Sequence, residues 1–230
     1  LATAQIVDTV PWFEGKQYGA TQVMDEARHV EVYRRFVQEK LQHEYPVNPE
    51  LKKLLDLILS DSRWDFKFLG MQIMVEGLAL AAFGVIRDTA TNPLLRDLTA
   101  AVMEDESRHV AFGVLSLREH LADLDERGRT EREDFVYEAA VLMRDRLTNR
   151  EVWQAMGLDP ERCVALSLES PIAKEFRRRL FAKIVPNVKS LGLLSDRQRQ
   201  RFAALGILEY EHGTTSDQDQ EAEERAQALN

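Results

Sequence analysis

The chain has 230 residues, a net charge of −9 and a single cysteine, Cys163, and it is sparing in Gly and Pro. That length suffices for one large domain or two small ones with a substantial core, and richness in Ala, Leu, Glu and Arg favours an all-α protein. The acidic balance, with no basic stripe to offset it, excludes a nucleic-acid binder. One cysteine excludes an intrachain disulfide or a thiolate metal cluster and suits a reducing cytoplasm. No signal peptide and no apolar run long enough to span a bilayer is expected, so the reading is cytoplasmic with no membrane partner.

In chain order, residues 1–9 read as the tail of a helix stopped by Pro11, its beginning lying outside the sequence. A long helix is predicted from about Glu14 to Gln42, broken by Tyr45-Pro46-Val47-Asn48-Pro49. Asn48 then caps a helix with Pro49 at its first position, closed by Ser60-Asp61-Ser62. From about Arg63 to Arg87 the pattern is apolar on nearly every side, which places that helix in the centre of a bundle. Its only acid between Phe66 and Ile86 is Glu76, with Gln72 one turn earlier, and a carboxylate there must be neutral, paired or coordinated. Thr91-Asn92-Pro93 opens the next long helix, to about Leu121, and a charged connection leads to an amphipathic helix over 131–147. The pattern breaks again around Gly157-Leu158-Asp159-Pro160, and two further helices (about 171–190 and 195–208) pack on the outside. The polar tail from His212 is expected to be disordered. The domains read as a bundle core over 1–125, additional helices over 126–211 and an acidic tail over 212–230.

Two stretches carry the chemistry: Asp25-Glu26-Ala27-Arg28-His29 and Asp105-Glu106-Ser107-Arg108-His109. Both read D-E-x-R-H, both follow a Met by one or two residues (Met24, Met103), and both lie inside long helical patterns. Glu and His three apart project from one helix face, so two helices together offer four oxygen and imidazole donors. In four-helix bundles that arrangement holds a pair of iron or manganese ions. A lone E-x-x-H is weak evidence, and Glu209 with His212, beside a Gly and a polar tail, is a decoy where no metal is expected. The apolar Val30 and Tyr33 after the first motif, and Val110, Ala111 and Phe112 after the second, point both stretches inward. Glu76 is the further carboxylate available to the pair. Asp25 and Asp105 are placed to accept the free N–H of the His on the opposite helix, with Arg28 and Arg108 balancing their charge. Arg177, Arg178 and Arg179 read as a solvated helix face, and His43 and His120 as solvated residues near helix ends.

With these residues the chain resembles the ferritin-like carboxylate-bridged di-iron proteins, over roughly residues 1–122. Within them it is most similar to the oxygen-activating branch: monooxygenase hydroxylases, the ribonucleotide reductase small subunit and di-iron N-oxygenases. The resemblance implies an all-α, ferritin-like four-helix bundle with extra C-terminal helices, the first bundle helix being mostly outside this chain. It implies that Glu26 and His29 serve one metal, Glu106 and His109 the other, with Glu76 terminal or bridging. A further Glu of the family would fall before Leu1, and Asp8 and Glu14 are too close to Glu26 to replace it. The cofactor implied is two Fe ions, or a Mn/Fe pair. Tyr33, four residues after His29, sits where reductase small subunits carry a radical tyrosine, and it is set beside Glu76 as a catalytic candidate. Leu80, one turn after Glu76, departs from the Thr of many hydroxylases. Leu80, Ala81, Phe83, Gly84 and Phe112 are expected to line an apolar pocket for a hydrophobic or aromatic substrate. The function implied is O2-dependent hydroxylation or N-oxygenation of a small organic molecule. A separate reductase or ferredoxin would supply electrons, because no flavin or Fe–S motif is present, and the assembly would be a homodimer. The alternatives are a reductase-like radical or ligand-binding oxidase, and a ferroxidase or iron-storage protein.

Overall fold

The computed structural model describes residues 1–228, and among them every regular element is helical. A short helix α1 (Ala2–Thr9) buries Ala2, Thr3 and Ile6. Lys16 ties it to α2 (Phe13–Phe36) by donating to the carbonyls of Val7 and Asp8, both at 2.9 Å. The last turn of α2 widens into a π turn (Val37–Leu41) that ends at Gln42 in the left-handed region, φ 56°. α3 (Pro49–Ser60) begins as the sequence predicts: the Asn48 side chain accepts the N–H groups of Glu50 and Leu51, each at 3.1 Å.

The centre of the molecule is one helical rod from Trp64 to Thr89. It is α-helical over Trp64–Phe68 (α4), π-helical over Leu69–Val75 and α-helical again over Glu76–Thr89 (α5). By length and composition this rod is apolar enough to cross a bilayer, which amends the expectation that no such stretch exists. Phe66, Phe68, Leu69, Ile73, Met74 and Leu78 are instead buried against other helices, as in the core of a bundle. α6 (Pro93–Ala122), capped by Asn92, runs alongside it. The two pack tightly at Gly113, where a Cβ would lie 2.4 Å from Cβ of Gln72, so only glycine fits there without a shift.

α7 (Glu126–Arg146) and α10 (Pro171–Ser190) do not merely decorate the outside. Val136, Ala139 and Ala140 of α7 and Phe181, Ile184 and Val185 of α10 are fully buried and continuous with the core of the central rod. Between them α8 (Arg150–Ala155) and α9 (Pro160–Glu169) form a loosely packed pair in which only Val164 is buried. α11 (Asp196–Ala204) and a 3-10 turn (Leu208–Tyr210) lead to α12 (Ser216–Ala228).

α12 corrects the expectation of a disordered tail from His212. Its root is buried and anchored: Asn187 and Ser216 exchange two hydrogen bonds of 2.9 Å, and Arg118 donates to Asp217 at 2.6 Å. Low hydrophobicity is offset here by specific polar contacts to α6 and α10, which composition does not report. The last two residues of that tail lie outside the described residues.

Candidate metal centre

The two D-E-x-R-H stretches lie side by side on α2 and α6, and the rod presents Glu76 to both. One side-chain donor atom each from Glu26, Glu76, Glu106 and His109 falls within a set no wider than 4.8 Å. His29 joins from α2, its Nδ1 3.4 Å from Oε1 of Glu106. His109 Nδ1 is 3.2 Å from Glu106 Oε2 and 3.7 Å from Glu76 Oε1. The outward nitrogens cross over: His29 Nε2 lies 3.0 Å from Asp105 on α6, and His109 Nε2 lies 3.3 Å from Asp25 on α2. A carboxylate at Nε2 favours the N–H there, which turns both Nδ1 lone pairs toward the carboxylate cluster. Arg28 donates to Asp25 at 2.9 Å and to Asp105 at 2.7 Å, and Arg108 donates to Asp105.

Three carboxylates in so small a space are an electrostatic liability, since two unit charges at 4 Å repel by about 4 kcal/mol at an effective dielectric of 20. The protonation equilibria show it. Burial, then the charges of Glu106 and Glu26, raise Glu76 well above the ordinary carboxylate range, against the hydrogen bond from Gln22. Burial, then Glu106, raise Glu26. For Glu106 burial pushes upward, but its hydrogen bonds to His109 and His29 win and hold it low. Burial works against protonation of His29, yet hydrogen bonding to Glu106 and Asp105 lifts it to about 9.

Whether a metal fits can be judged from what is left unpaired. Glu26 Oε1 and Glu76 Oε2 are buried with no hydrogen-bond partner, and His29 Nδ1 has only the long 3.4 Å contact to Glu106 Oε1. An orphaned buried acceptor costs on the order of 1–3 kcal/mol. Here all three belong to the one cluster, and among the described residues its glutamates form ion pairs with His29 and His109 and none with a Lys or Arg. Oxygen and imidazole donors without thiolate, closing on a point of negative potential, fit hard or borderline cations such as iron or manganese.

One layer of the site has no counterpart in the motif letters. Gln72 donates to Gln22 at 3.0 Å, and Gln22 donates to Glu76 Oε1 at 2.6 Å; both glutamines are fully buried. Their signal in the sequence is spacing, because each lies four residues before a cluster Glu, at 22 and 26 and at 72 and 76. Tyr18 was also missed. Its ring stacks on Phe112 at 3.8 Å and stands edge-on to His109 at 6.5 Å, and burial, then Glu76, push its hydroxyl up to about 12.

Other expected residues fall elsewhere. Tyr33 is outside the cluster: its hydroxyl meets Thr99 at 3.4 Å and its ring stacks on Phe83 at 5.3 Å. Val30 is 67% exposed, so it does not point inward, whereas Val110 is buried. The expected apolar pocket is not one cavity. Leu80, Ala81 and Gly84 line a groove of about 350 Å3 with Met103, Ser107 and the cationic Arg178, Arg179 and Lys183. Phe112 faces a different hollow beside Trp12 and Trp64, and Phe83 is taken up by Tyr33. Arg178 and Arg179 are thus groove residues, paired with Glu175 and Asp88, rather than a freely solvated face. His120 is likewise engaged, against Trp64 at 4.6 Å and 3.5 Å from buried Asp65. In the remaining E-x-x-H pair, His212 is exposed and lies 3.5 Å from its neighbour Glu211.

The family model of the p-aminobenzoate N-oxygenase AurF matches residues 11–192, well over half of the chain. The chain belongs to the AurF family. This is a ferritin-like di-iron oxygenase family, and the match spans α2, the rod and α6, the three elements that build the cluster. Searches of curated proteins and of solved structures found no match. Family membership and the carboxylate-imidazole cluster make the protein an oxygenase of the di-iron class, acting with O2 on an organic substrate.

Proposed function

We propose that the chain N-oxygenates a small aromatic amine that carries a negative charge, with two iron ions held by Glu26, His29, Glu76, Glu106 and His109. The observation that carries this reading is that the unpaired acceptors of the cluster lie on the elements the N-oxygenase family model covers. When bound, iron would supply O2 activation, which no protein side chain provides.

The chain's own residues do the rest. Asp25 and Asp105 hold the imidazoles with Nδ1 inward, and Arg28 donates to both aspartates; burial raises Asp105 but His29, then Arg28 and Arg108, bring it below its usual range. Buried Leu78 and Ala81 and the adjoining Leu80 exclude water on the side of the groove. The groove lies one turn beyond Glu76, through Leu80, and flanks Glu106, through Met103 and Ser107. Arg178 and Arg179 are held by largely solvated pairs with Glu175 and Asp88, worth about 0–1 kcal/mol each, which a substrate carboxylate can replace, while Lys183 is paired with Asp219 of the groove wall. An aromatic ring would then rest on Leu80, Ala81 and Gly84 with its amine toward the carboxylate cluster.

A separate reductase or ferredoxin as electron donor, a homodimeric assembly and a cytoplasmic location complete the proposal. The test is to load the protein with Fe(II) anaerobically, add O2 and a reductant, and assay amino- against hydroxybenzoates by mass spectrometry. About two irons per chain with an amine oxidised to a nitroso or nitro product supports the reading. Hydroxylation of the ring with an untouched amine overturns it.

A further inference from the structure

We propose that Gln22 and Gln72 act in series as a positioning relay that makes Glu76 a one-oxygen ligand. The inference rests on the metal reading of the cluster. Gln22 Nε2 donates to Glu76 Oε1 at 2.6 Å, while Glu76 Oε2 has no partner. One oxygen of the carboxylate is therefore occupied by a neutral donor and the other is left for a cation. Gln22 is held to this task from behind, because its own carbonyl accepts Gln72 Nε2 at 3.0 Å. With Glu76 ionised, as a metal ligand must be, turning the Gln22 amide over would set its carbonyl against the carboxylate and its amino group against that of Gln72, with acceptors opposed at one end and donors at the other.

The relay coincides with a π segment and a close contact between helices. Gln72 sits in the π segment, and its Cβ occupies the space a side chain at 113 would need. Gly113 and the widened turn together let Gln72 reach Gln22 across the interior, and π turns inside α-helices are frequent at functional sites. A merely structural amide pair would be satisfied by two glutamines bonded to each other. Here the chain of donors ends on a carboxylate oxygen of the cluster, where groups holding metal ligands typically change affinity by about 10- to 100-fold.

The experiment compares the unaltered chain with Gln22→Met, Gln72→Met and the double variant in two measurements. In the metal-free, 15N-labelled protein, the Gln22 side-chain amide should give a downfield, slowly exchanging signal, assigned by its loss in Gln22→Met and weakened in Gln72→Met. With Co(II), Gln22→Met should bind about 10- to 100-fold more weakly with an altered visible spectrum. Gln72→Met should fall between, and the double variant should be no weaker than Gln22→Met alone, since links in series are not additive. Thermal melting identifies a variant that fails to fold, and Gln72→Met then carries the comparison. Loss of melting temperature with unchanged Co(II) affinity and spectrum in both single variants would overturn the relay. No Co(II) binding by the unaltered chain, with the Gln22 signal protected, would sink the metal reading and the relay's role with it.

Discussion

The two D-E-x-R-H stretches agree at four of five positions and yet live in different surroundings. On α6, Glu106 and His109 are almost wholly buried, and the residue after the motif, Val110, is buried too. On α2, Glu26 keeps a quarter of its side-chain surface, and Val30 and Met24 are about two-thirds exposed. The charges diverge in step. Glu106 is flanked by both imidazoles and is held low, whereas Glu26 gains less from them and is raised by burial and by Glu106 itself. Identical letters thus yield an anchor on one helix and a looser, more solvated arm on the other. Local sequence sets which donors face one another, and tertiary packing sets how strongly each holds its proton or a cation.

The sharpest way to break this comparison is to remove one imidazole at a time. His109→Ala is expected to abolish metal binding and turnover, at least about 100-fold, and His29→Ala to weaken metal binding less, by roughly 10-fold. Metal analysis after desalting checks both, and equal retention of metal by the two variants would contradict the asymmetry.

The next effect is at the aspartates. Asp105 serves His29, Arg28 and Arg108 together, while Asp25 serves His109 over a longer contact. Asp105→Asn should therefore lower metal affinity by about 10- to 100-fold and Asp25→Asn by less, as read by competitive titration with a chelator.

Glu76 separates stability from function. Its folded-state pKa is raised, so the folded metal-free chain holds a proton that the unfolded chain loses. Stability of the metal-free protein should therefore fall as pH rises above about 4.5, the ordinary value for this group. Glu76→Gln removes that residue's share of the slope and leaves the share of Glu26, whose pKa is also raised. Calorimetry of the metal-free variant at neutral pH should show a gain on the order of 2 kcal/mol, with metal binding impaired. A metal-free variant less stable than the parent would show that the carboxylate is not strained.

The smallest contrast is between the valines. Val110→Ala should cost about 1.5 kcal/mol and Val30→Ala less than about 0.5 kcal/mol in chemical denaturation. Similar losses at both would mean that Val30 is covered in the protein in solution.

Much of this was legible before any coordinates. The caps at Asn48 and Asn92, the apolar rod, and the letters Glu26, His29, Glu76, Glu106 and His109 all follow from local rules of spacing and polarity; the structure brings donor atoms of Glu26, Glu76, Glu106 and His109 within 4.8 Å of one another and sets His29 beside Glu106. What escaped depends on the third dimension. Val30 was assigned inward because an apolar residue beside a motif carries no record of which face is covered. The π turn leaves no propensity signature, and Gln22 reads as an ordinary polar helix residue until its partner on another helix is known. α12 forms because Asn187 and Arg118, distant in sequence, receive its first turn.

The widened stretch over Leu69–Val75 has one more consequence. A regular α-helix advances about 100° per residue, so deleting a single residue there would relieve the bulge and rotate Glu76 out of the cluster. The shortened rod would form more easily and hold its ligand in the wrong direction. One residue of length in 69–75 thus trades ease of forming the helix against the direction in which Glu76 points.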